Sequence, residues 1–410
     1  MLQSSRRLLV GAVSALGLAL AASGGTWAQN KYDVGASDTE IRIGNTMPYS
    51  GPASAYGTIG KAIDAYFRKI NDDGGINGRK IKFISYDDGY QPPKAREMVR
   101  KLVEEDKVLF VFNTLGTPSN SVIWDYLNEE KVPQLFVATG ASKWGDPKGH
   151  PWTIGFQVDY ITEAVILAKH IVANVKDPKI AVLMQNDDYG KDYLNGFKQG
   201  LGKDANKIVK VATYEVADPT VDSQIIQLKD TGANVFFNIS TPKFAAQAIK
   251  KAGEIGWKPA HYLNGVSTSV ATVMKPAGLE NSQGILMVQY LKDPTDPQYA
   301  NDKDFLEWKA FMQKYYPNGN LSDGSNGYAY AVVNLMEIVL RRAGNDLTRA
   351  NIMKQVASLK DIQLPMVMAG IKVNTSPTDF YPIQSVRMAR FKGETWEFFT
   401  DILSGEGASQ

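Results

Sequence analysis

The sequence predicts an α/β protein built from two doubly wound units. Short apolar segments alternate with amphipathic segments of helical period along most of the chain, as expected for parallel strands joined by helices. This alternation occurs twice in succession. At 410 residues the chain is also long for a single hydrophobic core, whereas two domains of ordinary size would account for its length.

The first unit is predicted from its apolar periodicity. Short runs or alternations of apolar residues indicate strands near residues 41–47, 81–85, 108–112 and 133–137. Apolar residues that recur every three or four positions indicate helices near 59–70, 95–103 and 119–129. Ser50-Gly51-Pro52 ends the first strand, and Gly74-Gly75 ends the first helix.

The second unit has the same pattern. Helices are predicted near residues 161–175, 192–201, 225–229 and 243–255, with strands near 180–184, 208–215 and 235–239. After about residue 289 come three further helical stretches, at 305–315, 328–342 and 352–359, and residues 371–399 are rich in strand-forming residues.

The N-terminus has the features of a secretory signal peptide. Arg6 and Arg7 precede an apolar run over residues 8–22, and Thr26-Trp27-Ala28 offers small residues at both recognition positions. We therefore expect residues 1–28 to be a signal peptide that is cleaved after Ala28, and the mature chain to be exported. The paired arginines leave both the Sec and the twin-arginine route open.

Composition and motifs exclude several classes of function. The net charge of +2 is matched by the two arginines of the leader, so a nearly neutral mature chain is not expected to bind nucleic acid. The chain has no Cys, which excludes thiolate chemistry and disulfides. Only three His occur, far apart, and no nucleophile elbow, dinucleotide fingerprint or zinc motif is present. We therefore predict neither an enzyme nor a metal or cofactor site.

Seven short motifs stand in one order along the chain and together resemble the leucine/isoleucine/valine-binding protein family of periplasmic receptors. They are Ser50-Gly51-Pro52, Tyr56-Gly57, residues 71–78 (NDDGGING), Asp87-Asp88, residues 115–119 (LGTPS), residues 138–141 (ATGA) and Asp187-Asp188-Tyr189-Gly190. Each motif alone is weak, but the set covers nearly the whole mature chain.

The resemblance implies the type I periplasmic binding protein fold, in which two α/β lobes are joined by three crossover strands and close on a ligand. Lobe one would comprise residues 37–158 and 290–374, and lobe two residues 159–289 and 375–410. The function implied is a monomeric periplasmic receptor that delivers a small carboxylate-bearing ligand to the permease of an ABC importer of the branched-chain amino acid type. A periplasmic sensor subunit that feeds a chemoreceptor or regulator is the alternative.

The resemblance also suggests the residues of the ligand site. Thr117, between a strand and a helix, would bind the ligand carboxylate, although it could equally cap that helix. Ala138 and Gly140 would offer backbone groups, and Tyr56 and Tyr189 would enclose the ligand from the two lobes. Asp159 would hold an ammonium group, unless it only caps the helix that follows.

Two departures from the family pattern leave the ligand open. Val266 stands where amino-acid-binding relatives carry an acid for the ligand ammonium, and Ser240 or Thr241 stands in place of a tyrosine. The candidates are therefore hydrophobic amino acids and amine-free aromatic or acyl carboxylic acids, with a slight preference for the amine-free class. Lys143-Trp144 follows the ATGA motif and could widen or line the pocket, but it is expected on the lobe surface.

Overall fold

The computed structural model describes residues 31–404, so the predicted signal peptide lies outside the described residues. The strands are β1 Lys31–Tyr32, β2 Glu40–Met47, β3 Lys80–Asp87, β4 Phe110–Phe112, β5 Gln134–Val137, β6 Thr153–Gly155, β7 Ile180–Gln185, β8 Ile208–Tyr214, β9 Val235–Ile239, β10 Ala260–Leu263, β11 Leu286–Gln289, β12 Asp346–Leu347, β13 Ser385–Lys392, β14 Thr395–Phe398 and β15 Leu403–Ser404. The α-helices are α1 Gly57–Asp72, α2 Pro92–Glu104, α3 Thr117–Ser121, α4 Trp124–Glu129, α5 Tyr160–Asn174, α6 Asp188–Leu201, α7 Asp222–Lys229, α8 Pro242–Glu254, α9 Lys275–Ala277, α10 Leu279–Ser282, α11 Lys303–Tyr315, α12 Gly324–Ala343 and α13 Arg349–Val356.

The first sheet contains five parallel strands in the order β3-β2-β4-β5-β6. Its central strands β4 and β5 are buried along their whole length, as a parallel sheet covered by helices on both faces requires. Short apolar strands therefore lead directly into the loops at their carboxyl ends, where the ligands of such sheets bind.

The second sheet begins as a parallel sheet and ends as an antiparallel one. Its strand order is β14-β13-β11-β10-β9-β7-β8, and β15 pairs with β13. Strands β7 to β11 are parallel, and β13 and β14 add an antiparallel hairpin whose turn contains Gly393 at a φ of 64°. The C-terminal segment thus completes the sheet that was begun by the middle of the chain.

The chain passes between the two sheets three times, after β6, after β11 and before β13. Between the second and third passes, α11 and α12 pack on α1 beside the first sheet. Two doubly wound units joined by three crossovers are the fold that the sequence predicts. The lobe boundaries at 158/159, 289/290 and 374/375 stay a prediction. Within residues 31–404, no helix combines the length and apolarity needed to cross a bilayer.

The sequence pattern locates most elements but not the shortest ones. The single helix expected near 119–129 is two short helices, α3 and α4, and the strand expected at 108–112 spans only its last three residues. Strands β1, β6, β10, β11, β12 and β15 were not predicted, because two to four residues are too few to show a period. Strands β4 and β5 are as short, but each lies in a longer, largely apolar run.

Helices α5 and α6 pack closely because α6 carries Gly196 and Gly200 on the contacting face. A Cβ atom at residue 196 would lie 2.6 Å from the Cα of Ile161, and one at residue 200 would lie 2.7 Å from the Cβ of Ala168. Only glycine allows this approach. The contact fixes the two helices whose N-terminal turns carry Tyr160 and Tyr189.

We expect Gly196→Ala to lower the free energy of unfolding by about 1–3 kcal/mol, because the added methyl group has no space against the α5 backbone. Urea unfolding measures the change. Gly324→Ala is the matched control, since a Cβ there meets nothing nearer than 3.9 Å. If the two variants have equal free energies of unfolding, α5 and α6 can move apart to admit a methyl group without loss of stability.

Candidate ligand-binding site

A cavity lies between the carboxyl ends of the two sheets. Its empty volume is about 1170 Å³, including the open mouth. Loops after β4 and β5 form one wall, and loops after β9 and β10 form the other. The residues that line the cavity include Tyr56, Tyr90, Gly116, Thr117, Ala138, Tyr160, Glu163, Tyr189, Thr241, Gly265, Val266, Tyr290, Lys292, Asp293 and Tyr328.

The lobe-one wall presents a hydroxyl donor at Thr117. Its Oγ1 lies 2.6 Å from Oγ1 of Thr139, which accepts hydrogen bonds from the Ala141 N–H at 3.3 Å and the Trp144 Nε1–H at 3.4 Å. Either hydroxyl can donate in this contact, so the two threonines together keep one proton that the contact does not use. Thr117 lines the cavity, so its hydroxyl faces the space that a ligand would occupy.

Gly116 shapes the same wall. Its φ is 95°, and a Cβ atom there would lie 2.4 Å from the ring of Tyr90. A side chain at this position would clash with the ring and would also be strained by the backbone conformation. The glycine therefore lets the ring of Tyr90 lie against the start of α3.

Six tyrosines line the cavity and give it aromatic walls with hydroxyl edges. They are Tyr56, Tyr90, Tyr160, Tyr189, Tyr290 and Tyr328. Burial raises the pKa of each, to about 12 for Tyr160, so all six are uncharged at neutral pH. Tyr189 lies edge-on to Tyr160 with ring centroids 5.3 Å apart, and the buried hydroxyl of Tyr189 forms no hydrogen bond within the described part of the chain.

Glu163 is a carboxyl group in the lobe-two wall that the sequence analysis missed. It lies one turn after Tyr160 on α5, is 6% exposed, and its Oε1 accepts a hydrogen bond from the Gly265 N–H at 2.5 Å. Burial raises its pKa to about 8. The nearby Tyr193 hydroxyl partly offsets this rise in the pKa of Glu163, although it forms no hydrogen bond within the described residues. The sequence signal that could have identified Glu163 is the occurrence of a Glu on the otherwise apolar, buried face of α5.

Lys292 and Asp293 are the remaining charged residues of the lining. Lys292 is paired with Asp302 at 2.7 Å and Asp304 at 3.2 Å, so its charge is already balanced. Asp293 accepts hydrogen bonds from Thr295, and burial raises its pKa to about 6. The ionisable lining is therefore acidic.

Direct contacts hold the lobes together around the cavity. The Tyr56 hydroxyl donates to the Val266 carbonyl at 3.0 Å, and Ser269 Oγ donates to Asp323 Oδ1 at 3.0 Å. At the rim, the Ser142 N–H and Oγ–H donate to the Asp192 carboxylate at 2.6 and 2.9 Å. The structure is therefore a closed form.

The structure brings five of the eight predicted site residues to the cavity. Tyr56, Thr117, Ala138, Tyr189 and Val266 line it, whereas Gly140, Asp159 and Ser240 do not. The ligand contacts of all eight residues stay a prediction.

The three residues outside the lining have structural contacts. Asp159 accepts from the Thr162 N–H at 2.9 Å and caps α5. Gly140 accepts from the Tyr160 N–H at 2.7 Å, and a Cβ on it would lie 2.5 Å from the Val158 carbonyl oxygen. Ser240 donates to Asn238 at 2.6 Å, while its neighbour Thr241 lines the cavity.

The expectation that Lys143-Trp144 lies on the surface is wrong for Trp144. The indole is buried edge-on against Trp124, with ring centroids 5.3 Å apart, because burial removes its large apolar surface from water. Lys143 instead reaches the other lobe, where its Nζ lies 2.9 Å from Oδ2 of Asp188.

Comparison with known proteins identifies the family. A periplasmic binding protein family model matches residues 40–395. Leu/Ile/Val-binding protein homolog 3 of Brucella melitensis is 26% identical over 80% of this chain and 86% of its own length.

Two solved structures share the fold at low identity. A branched-chain amino acid ABC transporter protein from Thermus thermophilus with bound valine superposes with a TM-score of 0.81 at 15% identity, over 90% of this chain and 97% of that one. A solute-binding protein from R. palustris in complex with 4-hydroxybenzoate has a TM-score of 0.74 at 18% identity, over 89% and 96%. The chain therefore belongs to the periplasmic binding protein family, which confirms the resemblance seen in its sequence and the prediction of a solute-binding protein rather than an enzyme.

Proposed function

We propose that this protein is the receptor of an ABC importer and that its lobes close on a small carboxylate-bearing ligand, which it delivers to a membrane permease. The observation that carries the proposal is the cavity between the two sheets, whose walls come from both lobes. Family membership implies a periplasmic location. We also propose that the leader directs export of the chain and that the protein acts as a monomer.

The ligand carboxylate is proposed to bind at Thr117. Thr117 lines the cavity, and its hydroxyl and that of Thr139 share one proton between them, which leaves one proton for a ligand. The first N–H groups of a helix have no acceptor within that helix. Both are suitable partners for a carboxylate, because hydrogen bonds to a charged group are stronger than neutral ones. Ala138, after the next strand, lies at the same edge of the sheet.

The body of the ligand is proposed to lie among the six tyrosines. Such walls favour an apolar or aromatic group and can also donate a hydrogen bond to a polar edge. The two neighbours above, with valine and with 4-hydroxybenzoate, show that this fold accommodates both an amino acid and an aromatic acid. Hydrophobic amino acids and aromatic or acyl carboxylic acids are accordingly the candidates.

A thermal-shift screen of both ligand classes tests the proposed function. A ligand present at 100 times its dissociation constant adds about 2.7 kcal/mol to the free energy of unfolding, provided it binds only the folded state. At least one small carboxylate should raise the melting temperature. If neither class produces a shift, the proposed function is wrong.

We expect Thr117→Val to weaken binding of the best ligand from that screen by about 10- to 150-fold, because the change removes a hydrogen bond to a charged group. Calorimetric titration measures the affinity. Ser121→Ala is the control on the same short helix: its Oγ donates to the Thr117 carbonyl at 2.7 Å but does not line the cavity. Equal affinities of the two variants would reduce Thr117 to a structural role.

We expect Asp192→Ala to speed ligand release by about tenfold or more, because only the closed form contains its two hydrogen bonds to Ser142. Asp188→Ala is the control, since its ion pair with Lys143 is largely exposed and should matter less than about fivefold. Stopped-flow release rates distinguish the two. A normal release rate in Asp192→Ala would contradict the role of this rim contact.

A further inference from the structure

Glu163 is a buried carboxyl group for which the fold provides no cationic partner. It lies 6% exposed in the cavity wall, and its one hydrogen bond is the N–H of Gly265 at 2.5 Å. Within residues 31–404, no Lys, Arg or His forms an ion pair with it. Burying an unpaired carboxyl group is costly, so a residue needed only for packing would be expected to be apolar.

The groups that face Glu163 are acidic or neutral. Asp159 on its own helix raises its pKa further, and Tyr193 on α6 faces it as an uncharged phenol. The loop after β10 contributes only the Gly265 N–H, and Tyr160 and Tyr290 are also uncharged phenols nearby.

Among the described residues, the lining has no cation that is free of an acidic partner. Lys292 is already paired with Asp302 and Asp304, and Asp293 adds a second carboxyl group. A ligand bearing only a carboxylate would therefore bring another acid into an acidic cavity. An ammonium group on the ligand would instead favour the ionised form of a buried carboxyl group and pair with it, and tyrosine faces also attract a cation.

Position along α5 fits this requirement. Residues three apart on a helix lie on the same face, about 5–6 Å apart at Cβ. Tyr160 and Glu163 are such a pair, and both line the cavity. Thr117 lines the same cavity, so the proposed carboxylate site and Glu163 face one space.

We propose that Glu163 pairs with an ammonium group of the ligand and releases its own proton to the solvent as the ligand binds. The ligand is then an amine-bearing carboxylate rather than an amine-free acid, so the preference drawn from Val266 in the sequence is reversed. This inference rests on the proposed function, because it assumes a ligand in the interlobe cavity. Glu163 is the specificity-determining residue for the amine.

Matched ligand pairs test the amine requirement. Leucine and 4-methylpentanoate share one carbon skeleton with and without the amine, as do phenylalanine and 3-phenylpropanoate. In at least one pair the amino acid should bind about 30-fold tighter or more, the loss typical when a buried charge has no partner. Tighter or equal binding of the amine-free members would overturn the inference while leaving the proposed function intact.

Proton release is measured on the unaltered protein. With a pKa of about 8, Glu163 is mostly protonated at pH 7 before binding. The larger part of one proton per bound amino acid should therefore be released, and the titration should be more exothermic in Tris than in phosphate. Affinity should increase about tenfold from pH 6 to 7, less steeply from pH 7 to 8, and then level off, as the carboxylate form becomes populated. Equal heats in the two buffers would overturn the inference.

Glu163→Gln assigns the effect to this residue. The amide oxygen can still accept from the Gly265 N–H, so the variant should fold, while proton release and the preference for the amine should both be lost. Glu97→Gln, on the exposed face of α2, is the control and should behave like the wild type. Unchanged amino-acid affinity in a folded Glu163→Gln variant would assign the amine preference to another residue.

Discussion

Each lobe supplies only one wall of the cavity, so the tyrosines and carboxyl groups that line it are shielded from water only when the lobes meet. The hydrogen bond from Tyr56 to the Val266 carbonyl joins the two walls directly, and Asp192 receives two more at the rim. None of these contacts can exist in an open form. The walls in contact thus enclose a low-dielectric site in which a few polar groups can discriminate strongly among ligands.

The close packing of α5 on α6 determines which groups reach that site. Gly196 and Gly200 allow the two helices to touch at the backbone, and the first turns of the helices present Tyr160, Glu163 and Tyr189 to the cavity. A stable helix pair is therefore a condition for precise placement of the ligand-facing side chains. Stability and specificity are coupled through this one contact.

The fold was predictable from sequence because apolar periodicity, turn residues and glycines determine the local backbone conformation. The site was predictable only in part. Thr117, Ala138 and Val266 follow strand ends, and strand ends of parallel sheets face the cleft. Asp159 also follows a strand and stands at the crossover, but its side chain turns to cap α5, and sequence alone left both roles open.

Glu163 shows why the role of the remaining residues needed the structure, even where the sequence offered a hint of burial. An acid in the first turn of a helix is expected simply to complement the helix dipole, whatever its surroundings. Its significance comes from burial and from Gly265, about a hundred positions later in the chain. The balanced charge of Lys292 likewise depends on residues that only the tertiary structure brings together. Cavity electrostatics are a property of the assembled lobes.

The most direct test of ligand-driven closure is a distance measurement between the lobes. The chain has no Cys, so Glu97→Cys on α2 and Gln227→Cys on α7 allow two spin labels to be attached without background. Electron–electron resonance should show a broad distance distribution without ligand. Saturating amounts of the amino acid that stabilises the protein most should shift it to one narrow, altered distance. An identical distribution with and without that ligand would contradict the account.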